Sequence, residues 1–188
     1  PDETLRDEAL ERRMATLRRV EEAAATARQQ AGRKLRWPVS RVVVESEDAD
    51  TRAEVEALAD LLGERTNARS VTVVEAFSEL VEYAAPEMSA IGPAFGGDAQ
   101  DVMTAVEGRR LADLRDEDGT LSVDVDGETY ELSLQMVTTR TEPPEGVSGA
   151  AFADGTVYVD AGLTEALESE GYARDVVRRI QEMRKRLD

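Results

Sequence analysis

Apolar residues recur at steps of three and four along the start of the chain: Leu10, Met14, Leu17, Val20, Ala24, Ala27, Ala31 and Leu35. That spacing lines one face of a helix and predicts a single long helix over 2–35, ended by Pro38. Arg41-Val42-Val43-Val44-Glu45 then reads as a buried β-branched strand. Asp48 or Asp50 is placed to cap a helix over 51–62, with Val55, Leu58, Ala59 and Leu62 on one face and Gly63 as its stop. Val71 to Val74 closes this as a β-α-β piece. Residues 79–92 predict a weaker strand and turn, and the glycines of 91–97 a structural turn. Asp98 is placed to cap a short helix carrying Val102, Met103 and Val106, and 109–119 read as helix then turn.

Further on, Leu121 to Val125 and Glu128 to Leu134 alternate around Asp126-Gly127, the signal of a type I′ hairpin. Pro143-Pro144-Glu145-Gly146 reads as a linker, and 150–152 with 156–160 as a second hairpin. Thr164 can cap a final helix that runs to the last residue. On that helix Arg174, Arg178, Gln181 and Lys185 share one stripe, while Val176, Ile180, Met183 and Leu187 share the opposite one. The apolar stripe is expected to be buried and the cationic one to face outward. The class is α+β: a long N-terminal helix, a mixed or antiparallel sheet with hairpins and packing helices, and a long C-terminal helix. Pro1 in place of an initiator Met, and a last helix in full stride at Asp188, are read as signs of a piece cut from a longer protein. The N-terminal stripe is then expected to have faced other helices, and to be able to pair two copies of this chain artificially.

Composition narrows the chemistry. The 188 residues hold no Cys and no His, which removes thiol and imidazole nucleophiles, a His general base and zinc sites built on either. Apolar runs are too short to span a membrane, and no signal peptide opens the chain, so a cytoplasmic setting is expected. Two acidic turns invite a calcium loop. With Gly119 as the loop's glycine, however, the first and last ligand positions are Leu114 and Val125, and with Gly127 they are Ser122 and Ser133. The glycine segment lacks both the Gly-x-Gly-x-x-Gly order and a following Lys-Ser or Lys-Thr. No catalytic residue, metal ligand or cofactor is assigned.

Forty acidic against 23 basic residues give a net charge of −17, and all but two of the basic residues are arginine. The charge is unevenly spread. Residues 38–170 carry 30 acidic and 8 basic groups, whereas 1–37 carry 7 and 9 and 171–188 carry 3 and 6. A folded chain of this acidity suits a salt-rich cytoplasm, where screening relieves self-repulsion. The basic ends hold the candidate contacts: Arg28, Arg33, Lys34, Arg36 and Trp37 at the end of the first helix, and Arg174, Arg178 and Lys185 on the last. Arginine and lysine meet phosphates, and an indole stacks on a base. The alternative is that Trp37 caps the core while the cations complement the helix dipole or are simply solvated.

Arg33-Lys34-Leu35-Arg36-Trp37-Pro38 after a long helix, and the string from Glu170 to Lys185, resemble the C-terminal region of isoleucyl-tRNA synthetases of archaeal or eukaryotic type. Ile91 to Gly96 and Glu142 to Gly146 resemble spacer motifs of the same region. The resemblance implies an ATP-dependent ligase of isoleucine to its tRNA, with residues 1–38 ending a helical anticodon-binding domain and 39–188 forming an α+β C-terminal domain. It implies isoleucine tRNA and the remaining synthetase domains as partners. The resemblance assigns ATP and Mg to the parent enzyme, and the family's catalytic motifs are absent here. High acidity and scarce lysine depart from the usual pattern and fit a halophilic archaeal source. Two other readings stay open: a docking domain that touches no RNA, and a helix-mediated protein-interaction module.

Overall fold

The computed structural model describes residues 7–116 and 118–186. In chain order it runs α1 (Glu8–Gln30), β1 (Val39–Glu45), α2 (Ala49–Glu56), α3 (Ala59–Thr66), β2 (Ala68–Val74), β3 (Val81–Pro86), α4 (Met88–Phe95) and α5 (Ala99–Val106). A short 3-10 turn at Leu111–Leu114 leads to β4 (Leu121–Val125), β5 (Glu128–Leu132) and β6 (Val137–Glu142). The last elements are β7 (Val147–Phe152), β8 (Gly155–Asp160) and α6 (Glu165–Lys185). The α+β class expected from the periodicities holds. The part of the first predicted helix over 2–6 lies outside the described residues, as do Glu117 and Leu187.

The chain forms two compact units: Pro1–Ser78 with Glu145–Asp188, and Glu79–Pro144. The boundary expected at 38 concerns domains of a longer protein. Within this chain α1 shares a core with the sheet.

In the first unit, Asp7 starts α1 by accepting from the backbone N–H groups of Ala9 and Leu10, each at 3.0 Å. Leu17, Val20, Ala23, Ala24 and Ala27 then lie buried against a four-stranded sheet of order β2-β1-β8-β7. Burying a Leu or Val side chain contributes about 1.5–3 kcal/mol, so the stripe is a sufficient reason for the helix to dock. This corrects the expectation of a face left over for other helices: Leu10 and Leu35 stay exposed, but the stripe between them is spent on the chain's own sheet.

The parallel pair β1–β2 brackets α2 and α3, as the β-α-β reading expected, while β8 pairs antiparallel with β1 and with β7. Val42 and Val44 of central β1 join the core with α1, and Val43 is also buried, which is why the run is continuously apolar. The predicted helix over 51–62 is instead two helices, with Gly63 inside the second. Its true stop is Asn67, left-handed at φ 53°.

In the second unit β3 pairs with β6, and β4 with β5 across Asp126 (φ 50°) and Gly127 (φ 89°), the left-handed pair a type I′ turn requires. Ala84, Ile91, Val102, Val106, Leu121, Val123 and Leu132 are among its core. The glycine segment expected as a turn is largely helix α4, with Pro93 inside it. The acidic turns bind their own backbone or neighbours: Asp118 accepts from the Thr120 N–H at 2.9 Å, and Asp124 from the Thr129 hydroxyl at 2.7 Å. Among the described residues no helix is long and apolar enough to cross a membrane.

Candidate RNA interface where the first and last helices meet

The loop after α1 is held from beneath by Arg28, whose side chain is fully buried. Its Nη1 donates to the Thr66 carbonyl, and its Nη2 to the carbonyls of Lys34 (3.0 Å), Leu35 (3.3 Å) and Trp37. A buried cation needs its donors met; both terminal nitrogens of Arg28 are, while its Nε has no hydrogen-bond partner among the described residues. Burial lowers the Arg28 guanidinium to about 10, so it is still charged at neutral pH. Arg28 is therefore corrected from a candidate contact to the pin that shapes the loop carrying Arg33, Lys34, Arg36 and Trp37.

That loop meets α6 at Gly171. A Cβ there would lie 2.6 Å from the Trp37 ring, so only glycine permits the approach. Tyr172 adds an edge contact to the indole, with ring centroids 5.2 Å apart. Asp175 accepts from Arg36 Nε and from Trp37 Nε1–H (3.3 Å). The Arg36 hydrogen bond is the largest influence and holds the Asp175 carboxyl below the usual aspartate range; burial opposes it, and the Trp37 N–H and the charges of Arg36 and Lys34 add to the lowering. Trp37 is thus the packing anchor of α6, half-buried rather than standing free.

Arg174 turns toward the same junction. Its Nη1 donates to Asn67 Oδ1 at 2.8 Å and the Arg36 carbonyl at 3.3 Å, and its Nη2 to Glu170 Oε1 at 2.6 Å. Asn67 in turn donates its amide to the Arg36 carbonyl at 3.0 Å. Glu170 also accepts from Arg69, and Arg65 pairs with Glu21. The result is an open groove of about 810 Å³ beside the free edge of β2, lined by Arg36, Arg65, Arg69 and Arg174 together with Asp60 and Glu64. These ion pairs are part-exposed, each worth about 0–1 kcal/mol, so a stronger anion can displace their carboxylates.

The remaining candidates are dispersed. Arg33 donates Nε to the Ala161 carbonyl at 3.0 Å, and Lys34 is exposed at the loop's tip. Arg178 pairs with Glu182 at 2.9 Å along α6, and Lys185 is exposed near its end. The last helix keeps Arg178, Gln181 and Lys185 exposed as expected, but it leaves its apolar stripe uncovered as well. Its polar side, through Gly171, Arg174 and Asp175, faces the junction, while Val176, Ile180 and Met183 are exposed. The physical reason is that past Tyr172 the helix is held by hydrogen bonds and ion pairs of Arg174 and Asp175, not by apolar packing. Arg65, Asn67 and Arg69 were missed by sequence reasoning, since α3 and β2 bring them to the junction from about 30 residues away. Glu170 stood in the recognised string four residues before Arg174 and could have been read as its ion-pair partner, whereas Asp175 pairs with the distant Arg36.

Over its whole length the chain is homologous to a segment of aminoacyl-tRNA ligases. The relatives are isoleucine–tRNA ligases, those of halophilic archaea among them, so the resemblance read from the 33–38 and 170–185 strings extends across the chain. The ligase of Haloquadratum walsbyi is 55% identical over 99% of this chain and 17% of its own length. That of Halobacterium salinarum is 50% identical over all of this chain and 18% of its own, and that of Natronomonas pharaonis 48% over all of this chain and 19% of its own. The chain thus spans less than a fifth of the length of the relatives it matches. No protein-family model matches it.

Proposed function

We propose that this chain is the C-terminal, tRNA-binding segment of an isoleucine–tRNA ligase, working at the anticodon end of the tRNA in a salt-rich cytoplasm. In that reading residues 1–38 end the helical anticodon-binding domain and 39–188 form the appended α+β domain. Amino-acid activation with ATP belongs to the rest of the enzyme. The observation that carries it is the junction itself. Cations from the loop after α1, from α3 and β2 and from α6 gather at one open groove in a protein of net charge −17, in a chain whose relatives act on tRNA by name.

Each cation has a definite part. Lys34, exposed on the loop, meets phosphates directly, as Lys185 does farther along α6, while Arg33 and Arg178 first leave the Ala161 carbonyl and Glu182. Arg36, Arg69 and Arg174 exchange their carboxylates for phosphates, a trade favoured because guanidinium binds both bidentately. Trp37 acts chiefly by holding the loop on α6. Hydroxyl-radical footprinting of isoleucine tRNA tests this: protection confined to the anticodon arm, and lost with Lys34→Glu plus Arg174→Glu, is the expected result. Protection on the acceptor stem, or none, contradicts it.

The exposed apolar face of α6 favours a second reading, a docking role within the ligase, which does not exclude the first because it uses the opposite side of that helix.

A further inference from the structure

From Tyr172 onward α6 stands with its apolar side uncovered. Tyr172, Val176, Val177, Ile180 and Met183 are 57%, 55%, 53%, 47% and 56% exposed. Ala173, Val176, Ile180 and Met183 repeat at steps of three, four and three, the seam of a helix built to take another helix. Arg179 borders one side of this seam and Arg184 the other, while the hydrogen-bonded groups Arg174 and Asp175 lie away from it.

Size and charge decide what covers the seam. The free stretch is about 20 Å long and about 10 Å wide. Even doubled for surface relief, that falls well below the roughly 800 Å² per partner of a stable association between separate molecules. A second copy adds like charges: parallel pairing aligns the bordering arginines, and antiparallel pairing that stacks Val176 on Ile180 sets Arg179 against itself. RNA is a poor match to Val, Ile and Met, because it is bound through cations and aromatic stacking. A seam this small suffices when its occupant is tethered, since a linker supplies an effective concentration in the millimolar range. The relatives carry more than four-fifths of their length outside the matching segment, which is ample chain to supply one.

We infer that the Val176–Ile180–Met183 face docks another segment of the same ligase polypeptide, an apolar stripe bordered by carboxylates that meet Arg179 and Arg184. This rests on the reading of the chain as part of an isoleucine–tRNA ligase. Docking there fixes α6, and with it Arg174 and Asp175 beneath the loop of Lys34, so the segment's cations are set by the rest of the enzyme.

The test is amide hydrogen exchange over residues 176–185 in the 188-residue chain and in the longer ligase that carries it, both in the same molar KCl. Exchange about tenfold slower or more in the ligase, relieved by Ile180→Asp with Met183→Asp, is expected. Charging of isoleucine tRNA by the same ligase preparation checks the underlying reading separately. Charging with equal exchange in the two proteins overturns the docking and leaves the reading intact, whereas no charging removes both. Sedimentation of the short chain as a dimer that Ile180→Asp dissolves overturns it in favour of a second copy. Protection that appears only when tRNA is added overturns it in favour of RNA.

Discussion

Arg28 shows why a positive residue beside a candidate RNA loop need not touch RNA. Its guanidinium is buried beneath four backbone carbonyls, and removing it would leave those acceptors unmet in the interior. Arg28→Met is expected to cost about 3 kcal/mol in urea denaturation at fixed KCl, and to loosen the loop of Lys34 and Trp37. A loss under about 0.5 kcal/mol, typical of a surface site, would contradict the assignment. Asp175 supplies a pH signature at the same place. Its folded-state pKa is depressed by Arg36, so its stabilisation is fully present above the ordinary aspartate value of 3.8 and is lost as pH falls through the lower folded value. Trp37 is the sole tryptophan and bonds Asp175, so its fluorescence reports that step. An acid transition with its midpoint below 3.8, abolished by Asp175→Asn, is expected; a midpoint above 3.8 would place the carboxyl elsewhere.

At the scale of elements, α6 depends on one close approach. Gly171→Ala puts a methyl group 2.6 Å from the Trp37 ring, so the helix or the indole must shift. Overpacking of this kind costs about 1–3 kcal/mol, whereas Gly97→Ala, with no atom within 4 Å of the new Cβ, serves as a control near zero. Thermal melts of the two variants check it.

Elements with a regular apolar pattern were legible in the sequence: the one-sided stripe of α1, the Val42–Val44 run buried on both faces, and the hairpin over Asp126-Gly127. Others were not. In α4 the punctuation of Gly92 and Pro93 spoke for a turn, but burial of Ile91 and packing against α5 prevail. In β6 only Val137 is buried, leaving no alternation to read, and its partner β3 lies some fifty residues away. At the site, the two basic strings were visible because each is contiguous. The groove they border was not, because Arg65 and Arg69 reach it through the fold. The apolar side of α6 was expected to be buried and is not, because amphipathicity says which faces differ, not which of them the chain itself covers.

For the whole molecule, charge sets the conditions. At −17, with the acid concentrated over residues 38–170, the folded chain repels itself in dilute buffer. At molar salt the Debye length shrinks to about 3 Å. The melting temperature is expected to rise by roughly 5 °C or more between dilute buffer and 2 M KCl, the shift that about 2 kcal/mol produces in a domain of this size. An unchanged value would show the acidity to be incidental to stability. The same salt weakens phosphate contacts through counterion release, so binding that works there must draw on more than charge. The most direct measurement of the central claim is fluorescence anisotropy of the chain with isoleucine tRNA and with a non-cognate tRNA, across KCl up to molar concentration. Binding that favours the cognate by about tenfold or more and persists at molar KCl is the result expected. Equal weak binding of both that vanishes with salt, or no binding, would contradict direct recognition of the tRNA by this segment.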